Sequence, residues 1–240
     1  MPVNSVDPLP GVMQAVMHLI VAMKRDQQNR VSSQDGYEMR VFGRSFDLIS
    51  AFEELEHLVE LLGRTKTFQE ISLLIKLYII GWVTLSDVVA NILNDVFDLG
   101  YAEQDVQFGV ILRNRKIQRS PIPAIVKQNA KFIRYEWFAK RRNDIIHRGR
   151  LDDSDLAAVR GVVLSAVLGQ VLKVDTNDIA AVEAASNQAA AEVGATQRMA
   201  DLIGHKQQQF AEHLLATRKM FGQLAPLLVE RINAQTREAA

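Results

Sequence analysis

The stretch MADLIGHKQQQFAEHLLATRKMFGQLAPLL, Met199 to Leu228, repeats its large apolar residues at three-, four- and seven-residue intervals. At 3.6 residues per turn this sets Met199, Ile203, Phe210, Leu214, Phe221, Leu224 and Leu228 on one stripe, the mark of a long amphipathic helix. Pro226 is expected to break or kink it, because proline lacks an N–H and crowds the preceding turn. The same three-four spacing recurs upstream with little of the alternation that strands show. Six prolines and 13 glycines punctuate the whole chain. The expected fold class is therefore all-α.

Working outward, a first amphipathic helix is expected from Pro10 to Gln28, followed by a polar linker, Asn29 to Gly36. A second runs from Tyr37 to Gly63. A third spans Thr67 to Leu99, with a possible kink at Gly81, and ends before Gly100. Phe108 to Lys116 forms a short fourth element, closed by Ser-Pro-Ile-Pro at 120–123. The fifth, Pro123 to His147, is terminated by Gly149. Asp152, Asp153 and Ser154 open a sixth that reaches Lys173. Asp175 to Ala195, rich in alanine and small polar residues, reads as a surface helix or a loose arm. Three segments follow: residues 1–36, a helical domain at 37–173, and a C-terminal part at 174–240.

The chain has 240 residues and 26.9 kDa, enough for a buried core. Its 28 basic residues balance 28 acidic ones, 48% of residues are hydrophobic and the mean hydropathy is −0.02. This excludes a disordered tail and a globally basic nucleic-acid binder. Absence of cysteine excludes disulfides, thiol catalysis and cysteine-ligated metal sites. The N-terminus shows no basic n-region and no small-residue cleavage site, so a cytoplasmic location without membrane attachment is expected. The most apolar run, Ile71 to Ser86, has 16 residues and contains Lys76, whereas a spanning helix needs about 20. It reads as a core helix.

Charge is unevenly placed. Residues 106–150 hold twelve cations, among them Arg113, Lys140, Arg141, Arg142, Arg148 and Arg150, against Glu136 and Asp144 alone. That segment carries +10, so the remaining 195 residues sum to −10. Such a field suits a polyanion held at one place. The alternative is pairing with the acidic residues Glu53, Glu54, Glu56 and Glu60 inside the fold, or simple solvation.

Within this basic segment lies Arg142-Asn-Asp-Ile-Ile-His147. Asn143 and His147 fall one turn apart on a single helical face, while Arg142 lies about 140° round from His147. These residue types permit metal-free cleavage of RNA. An imidazole, with an ordinary pKa of about 6.5, exchanges a proton with the 2′-hydroxyl or the leaving oxygen. A guanidinium stabilises charge on the phosphate. Asn143 orients either the imidazole or the phosphate. Arg142 and His147 would meet on one ligand only if the helix loosens near Gly149 or a second copy completes the site across a two-fold axis. The other reading of His147 and its neighbouring cations is favourable placement at a helix C-terminus.

Arg142-Asn143 followed by His147 resembles the signature of the HEPN superfamily, an Arg four to six residues before a His, often with Asn after the Arg. The resemblance covers about Tyr37 to Lys173. It implies a HEPN-like helical bundle, extended here by N-terminal and long C-terminal helices, that dimerises so that two motifs form one cleft. Many such proteins are metal-independent endoribonucleases in toxin–antitoxin, antiviral defence and RNA-processing settings. It implies Arg142 and His147 as the catalytic pair, Asn143 as the supporting residue, and RNA and possibly an antitoxin or regulatory protein as partners. Lys140, Arg141, Arg148, Arg150 and Arg113 would contact RNA backbone. No cofactor and no metal is implied. Arg, Asn and His at these fixed positions arise by chance about 0.02 times in such a composition, against about once for the loose pattern. A second loose match, Arg198 to His205, lies outside the basic segment and is set aside. The competing function is a non-enzymatic helical module that binds nucleic acid or a protein.

Other patterns carry less. Glu54 and His57 have the spacing of a helical di-iron ligand pair, but no second copy of the motif exists. Gly63-Arg-Thr-Lys-Thr67 lacks the spacing and preceding strand of a phosphate loop. No serine or threonine has a nucleophile-elbow context. Tyr78, Trp82, Met13 and Met17 read as core or interface filler.

Overall fold

The computed structural model describes residues 35–133, 135–149 and 151–238. Among them all regular structure is helical, as the spacing of apolar residues requires. The helices are α1 (Asp35–Leu62), α2 (Phe68–Val96), the short α3 (Phe108–Leu112) and α4 (Arg115–Gln118), α5 (Ile122–Ile133), α6 (Tyr135–Arg148), α7 (Ser154–Val171), α8 (Ile179–Glu192) and α9 (Ala195–Glu238). The helix expected over Pro10–Gln28, with Met13 and Met17, lies outside the described residues.

Local chemistry explains the boundaries. Thr67 and Glu70 form a capping box at the start of α2: Glu70 N–H donates to Thr67 Oγ1 at 3.2 Å and Thr67 N–H to Glu70 Oε2 at 3.1 Å. Asp153 caps α7 by accepting from Leu156 N–H at 2.9 Å. Asp178 caps α8 through Ala180 and Ala181, so the alanine-rich segment is a helix. Gly149 ends α6 at φ +63°, a conformation glycine adopts without the steric penalty of a side chain.

Two expectations differ from the structure. The element at Phe108–Lys116 is two short helices, because Asn114 turns out of α3 and its side chain caps α4. The stretch expected as a fifth helix is helical on both sides of Arg134, which lies outside the described residues, and is labelled α5 and α6 here. Pro226 does not break α9, which continues to Glu238. Pro226 is exposed while Leu224, Ala225 and Leu228 are buried, so the hydrogen bond it deletes lies on the solvent side, where the freed Gly222 carbonyl is open to water.

The described residues divide into two compact units, 35–56 with 80–139 and 212–238, and His57–Ile79 with 140–211. In the first, Leu48, Phe52 and Leu55 of α1 are buried, as are Trp82, Leu85 and Leu93 of α2 and Phe221 and Leu224 of α9. Trp82 sits at its centre, with ring contacts to Phe138 at 4.7 Å and His213 at 4.8 Å, and donates to Thr217 Oγ1 at 3.3 Å. Arg44 joins Asp95 at 3.0 Å and Glu103 at 3.3 Å. Glu56 pairs with Arg218, not with a cation of the 106–150 segment. A Cβ on Gly81 would stand 3.1 Å from Leu55 Cδ2, and Leu55 is fully buried. Gly81→Val is therefore expected to destabilise the protein by about 2 kcal/mol through overpacking, read as a lower urea midpoint.

In the second unit, Tyr78 stacks on Phe210 at 3.8 Å and donates to the Phe210 carbonyl at 3.1 Å. Burial pushes the Tyr78 phenol well above its ordinary pKa. Lys206 of α9 is only 4% exposed and bonds Asp153 and Asp155, each at 2.7 Å. Helices α7 and α8 pack together. By length and composition alone, α2 and α7 are each apolar enough to cross a membrane. Half of the apolar window in α2 is buried, as for a core helix, but only 11% of that in α7.

Candidate functional site

The motif lies on the C-terminal half of α6, in the second unit. Ile145 is buried and orients this segment; Arg141, Arg142 and Asp144 are half-buried, and Lys140, Asn143, His147 and Arg148 are exposed. At 100° per residue, His147 faces nearly opposite Ile145, and Asn143 lies beside it one turn earlier. Arg142 borders the buried face. The helix thus brings Asn143 and His147 together and leaves Arg142 about 140° away from His147.

Their partners differ as much as their positions. Arg141 forms a 2.6 Å ion pair with Asp152 just beyond the helix. Its hydrogen bond and charge hold the Asp152 carboxyl below the usual range. Arg148 pairs with Asp144 one turn back at 3.4 Å. Both cations are therefore partly neutralised in place. Arg142 differs: its Nε is buried and has no hydrogen-bond partner among the described residues. A buried guanidinium N–H left unpaired carries a desolvation penalty of about 1–3 kcal/mol, more when charged.

The end of α6 is held from outside the helix. Gly149 N–H closes the last turn on the Ile145 carbonyl at 2.9 Å. The Gly149 carbonyl accepts from Lys76 Nζ at 3.0 Å. Sequence reasoning noticed Lys76 only as the lone charge within Ile71–Ser86, and missed its role as a clamp on the turn that follows His147. Such a contact joins residues 73 positions apart, so spacing along the chain carries no signal of it.

Two of the remaining site residues fall outside the described part of the second unit. Arg113 is exposed at the end of α3 and belongs to the other unit. Arg150 lies outside the described residues. In the set-aside pattern, Arg198 donates to the Val193 carbonyl at 2.7 Å and His205 approaches Asp155 at 3.7 Å. Both are occupied in local structure. No protein-family model matches the chain, and no curated protein or solved structure is significantly similar to it.

Proposed function

We propose that the protein is a metal-independent endoribonuclease of HEPN type, acting through His147, Arg142 and Asn143. The single observation that supports this reading best is the exposed His147, aligned with exposed Asn143 on a helix whose Arg142 keeps a buried, unpaired Nε. In the proposed step, His147 accepts the 2′-hydroxyl proton, the 2′-oxygen forms a bond to phosphorus, and the bond to the 5′-oxygen breaks. That oxygen takes up a proton from solvent as it leaves, and His147 returns its proton to water afterwards. Arg142 neutralises charge growing on the phosphate oxygens. The products are a 2′,3′-cyclic phosphate and a 5′-hydroxyl. A second copy supplies the facing Arg142 or His147, because one helix separates its own pair by about 140°. The setting suggested is a cytoplasmic toxin or antiviral effector restrained by an antitoxin or regulatory protein.

The test is incubation of the purified chain with mixed cellular RNA in the presence of a chelator. Fragments with 5′-hydroxyl ends are expected, undiminished by the chelator; a requirement for added Mg²⁺ or intact RNA would reject the proposal. The separation of Arg142 from His147 on α6 favours a second reading, a helical module that binds RNA without cutting it. That reading expects retained RNA whose binding weakens steeply with salt, as phosphate contacts do.

A further inference from the structure

A groove of about 340 Å³ in the second unit is walled by the start of α2 and the middle of α7. Phe68, Leu73, Val163 and Leu164 make its surface apolar, while Lys76 and Arg160 are its charged residues. Among the described residues no acidic side chain lines it, and neither cation belongs to an ion pair. Lys76 is half-buried and donates to the Gly149 carbonyl at 3.0 Å. That bond orients the ammonium without neutralising it, and two of its three donors remain for a ligand.

The groove is also ordered from end to end. Phe68 and Lys76 stand two turns apart on one face of α2, about 12 Å along its axis. Lys76 reaches Gly149, which leads into α7, and on α7 Arg160 precedes Leu164 by one turn. Lys76 and Arg160 therefore mark the side of the groove towards the start of α7, and Phe68 and Leu164 the side away from it.

We propose that this groove binds a free carboxylic acid with an unbranched hydrocarbon chain of medium length. Its carboxylate meets Lys76 and Arg160, the latter suited to two parallel N–H bonds, and its chain lies along Leu73, Leu164 and Phe68. The volume is at the low end of the roughly 300–1,000 Å³ of small-molecule sites, which admits such an acid and not a whole phospholipid. An inorganic anion would satisfy the charge and leave four apolar side chains against water. A peptide carboxyl terminus or a nucleotide would set amides or base edges against Leu73, Val163 and Leu164, which offer them no hydrogen bond. Methylene groups lose nothing on such a wall and gain by leaving water.

The site stands without the ribonuclease reading, and its test involves no RNA. In equilibrium dialysis at neutral pH and low salt, the full-length chain is expected to retain labelled octanoate at one site per chain. Octan-1-ol has the same chain length without the charge, and acetate has the charge without the chain. Each should displace the label only at concentrations at least about tenfold above those of octanoate itself. Arg160→Gln alters an exposed residue with no ion pair to lose, and should weaken octanoate binding about tenfold. Leu164→Asp, at a side chain 46% exposed, sets a negative charge against the ligand and should abolish binding. Both variants should keep their far-UV helicity. The assignment is overturned if wild type retains no octanoate, or if both variants retain it unchanged. It is equally overturned if octan-1-ol displaces the label as well as octanoate does, or if adenosine monophosphate displaces it at lower concentration.

Discussion

Replacing His147 with alanine is expected to lower RNA cleavage by about 10²–10⁴-fold, the contribution of a positioned acid–base group. The helix content and thermal midpoint should stay where they are. His147 is exposed, and among the described residues no side-chain hydrogen bond or ion pair holds it, so its removal is expected to delete chemistry with little loss of packing. Arg142→Ala is expected to lose about 10²–10³-fold, as when a charge-stabilising donor is removed from a transition state. Arg148→Ala should matter far less, because Asp144 already neutralises that guanidinium. Single-turnover cleavage of a labelled RNA by the three variants decides the matter. Equal rates for wild type, His147→Ala and Arg142→Ala would remove these residues from the reaction.

The largest expected effect on stability lies at Lys206. Lys206→Met leaves the Asp153 carboxylate, whose side chain is only 9% exposed, without its counter-charge, and removing one partner of such a largely desolvated pair costs up to about 3–5 kcal/mol. That is a large part of the stability of an ordinary domain. Urea denaturation should show a much lower midpoint, and Lys206→Met combined with Asp153→Asn should recover part of the loss, since the stranded charge is gone. Asp155 reports the same contact through pH. The hydrogen bond from Lys206 comes first among the influences that hold its carboxyl below the usual range. A carboxyl depressed by folding contributes stability that is fully present above the unfolded pKa of about 3.9 and is lost as pH falls through the lowered value. The acid limb of wild-type unfolding should therefore contain a step that shrinks in Lys206→Met. An unchanged acid limb would mean that the Lys206 contact does not persist in solution.

These cases separate what spacing along the chain reveals from what it hides. The stripe through α9 is legible because a helix exposes its period directly: Phe210, Leu214, Phe221, Leu224 and Leu228 are all buried as the spacing requires. Lys206 occupies a position on the buried side of that helix, and its composition alone marks it as a surface residue. Only the two aspartates brought from 51 and 53 positions away make its burial tolerable. The apolar run in α2 was readable as a core helix. The similar composition of α7 gave no hint that it would be left uncovered, because hydropathy records what a helix can bury and not whether a neighbour is there to bury it.

By itself, the order of residues determined an all-helical chain, most helix ends, a basic segment within an acidic remainder, and the shared face of Asn143 and His147. All of these depend on interactions within a turn or two, where fixed helical geometry converts spacing directly into position. Tertiary structure alone decided that Lys76 holds the carbonyl after His147, that Arg141 is engaged by Asp152 while Arg142 keeps an unpaired Nε, that α9 runs through Pro226, and that α7 turns a leucine ridge to solvent. Those outcomes are set by packing between segments far apart in the chain, and their physical origin is the partner that each side chain meets or lacks.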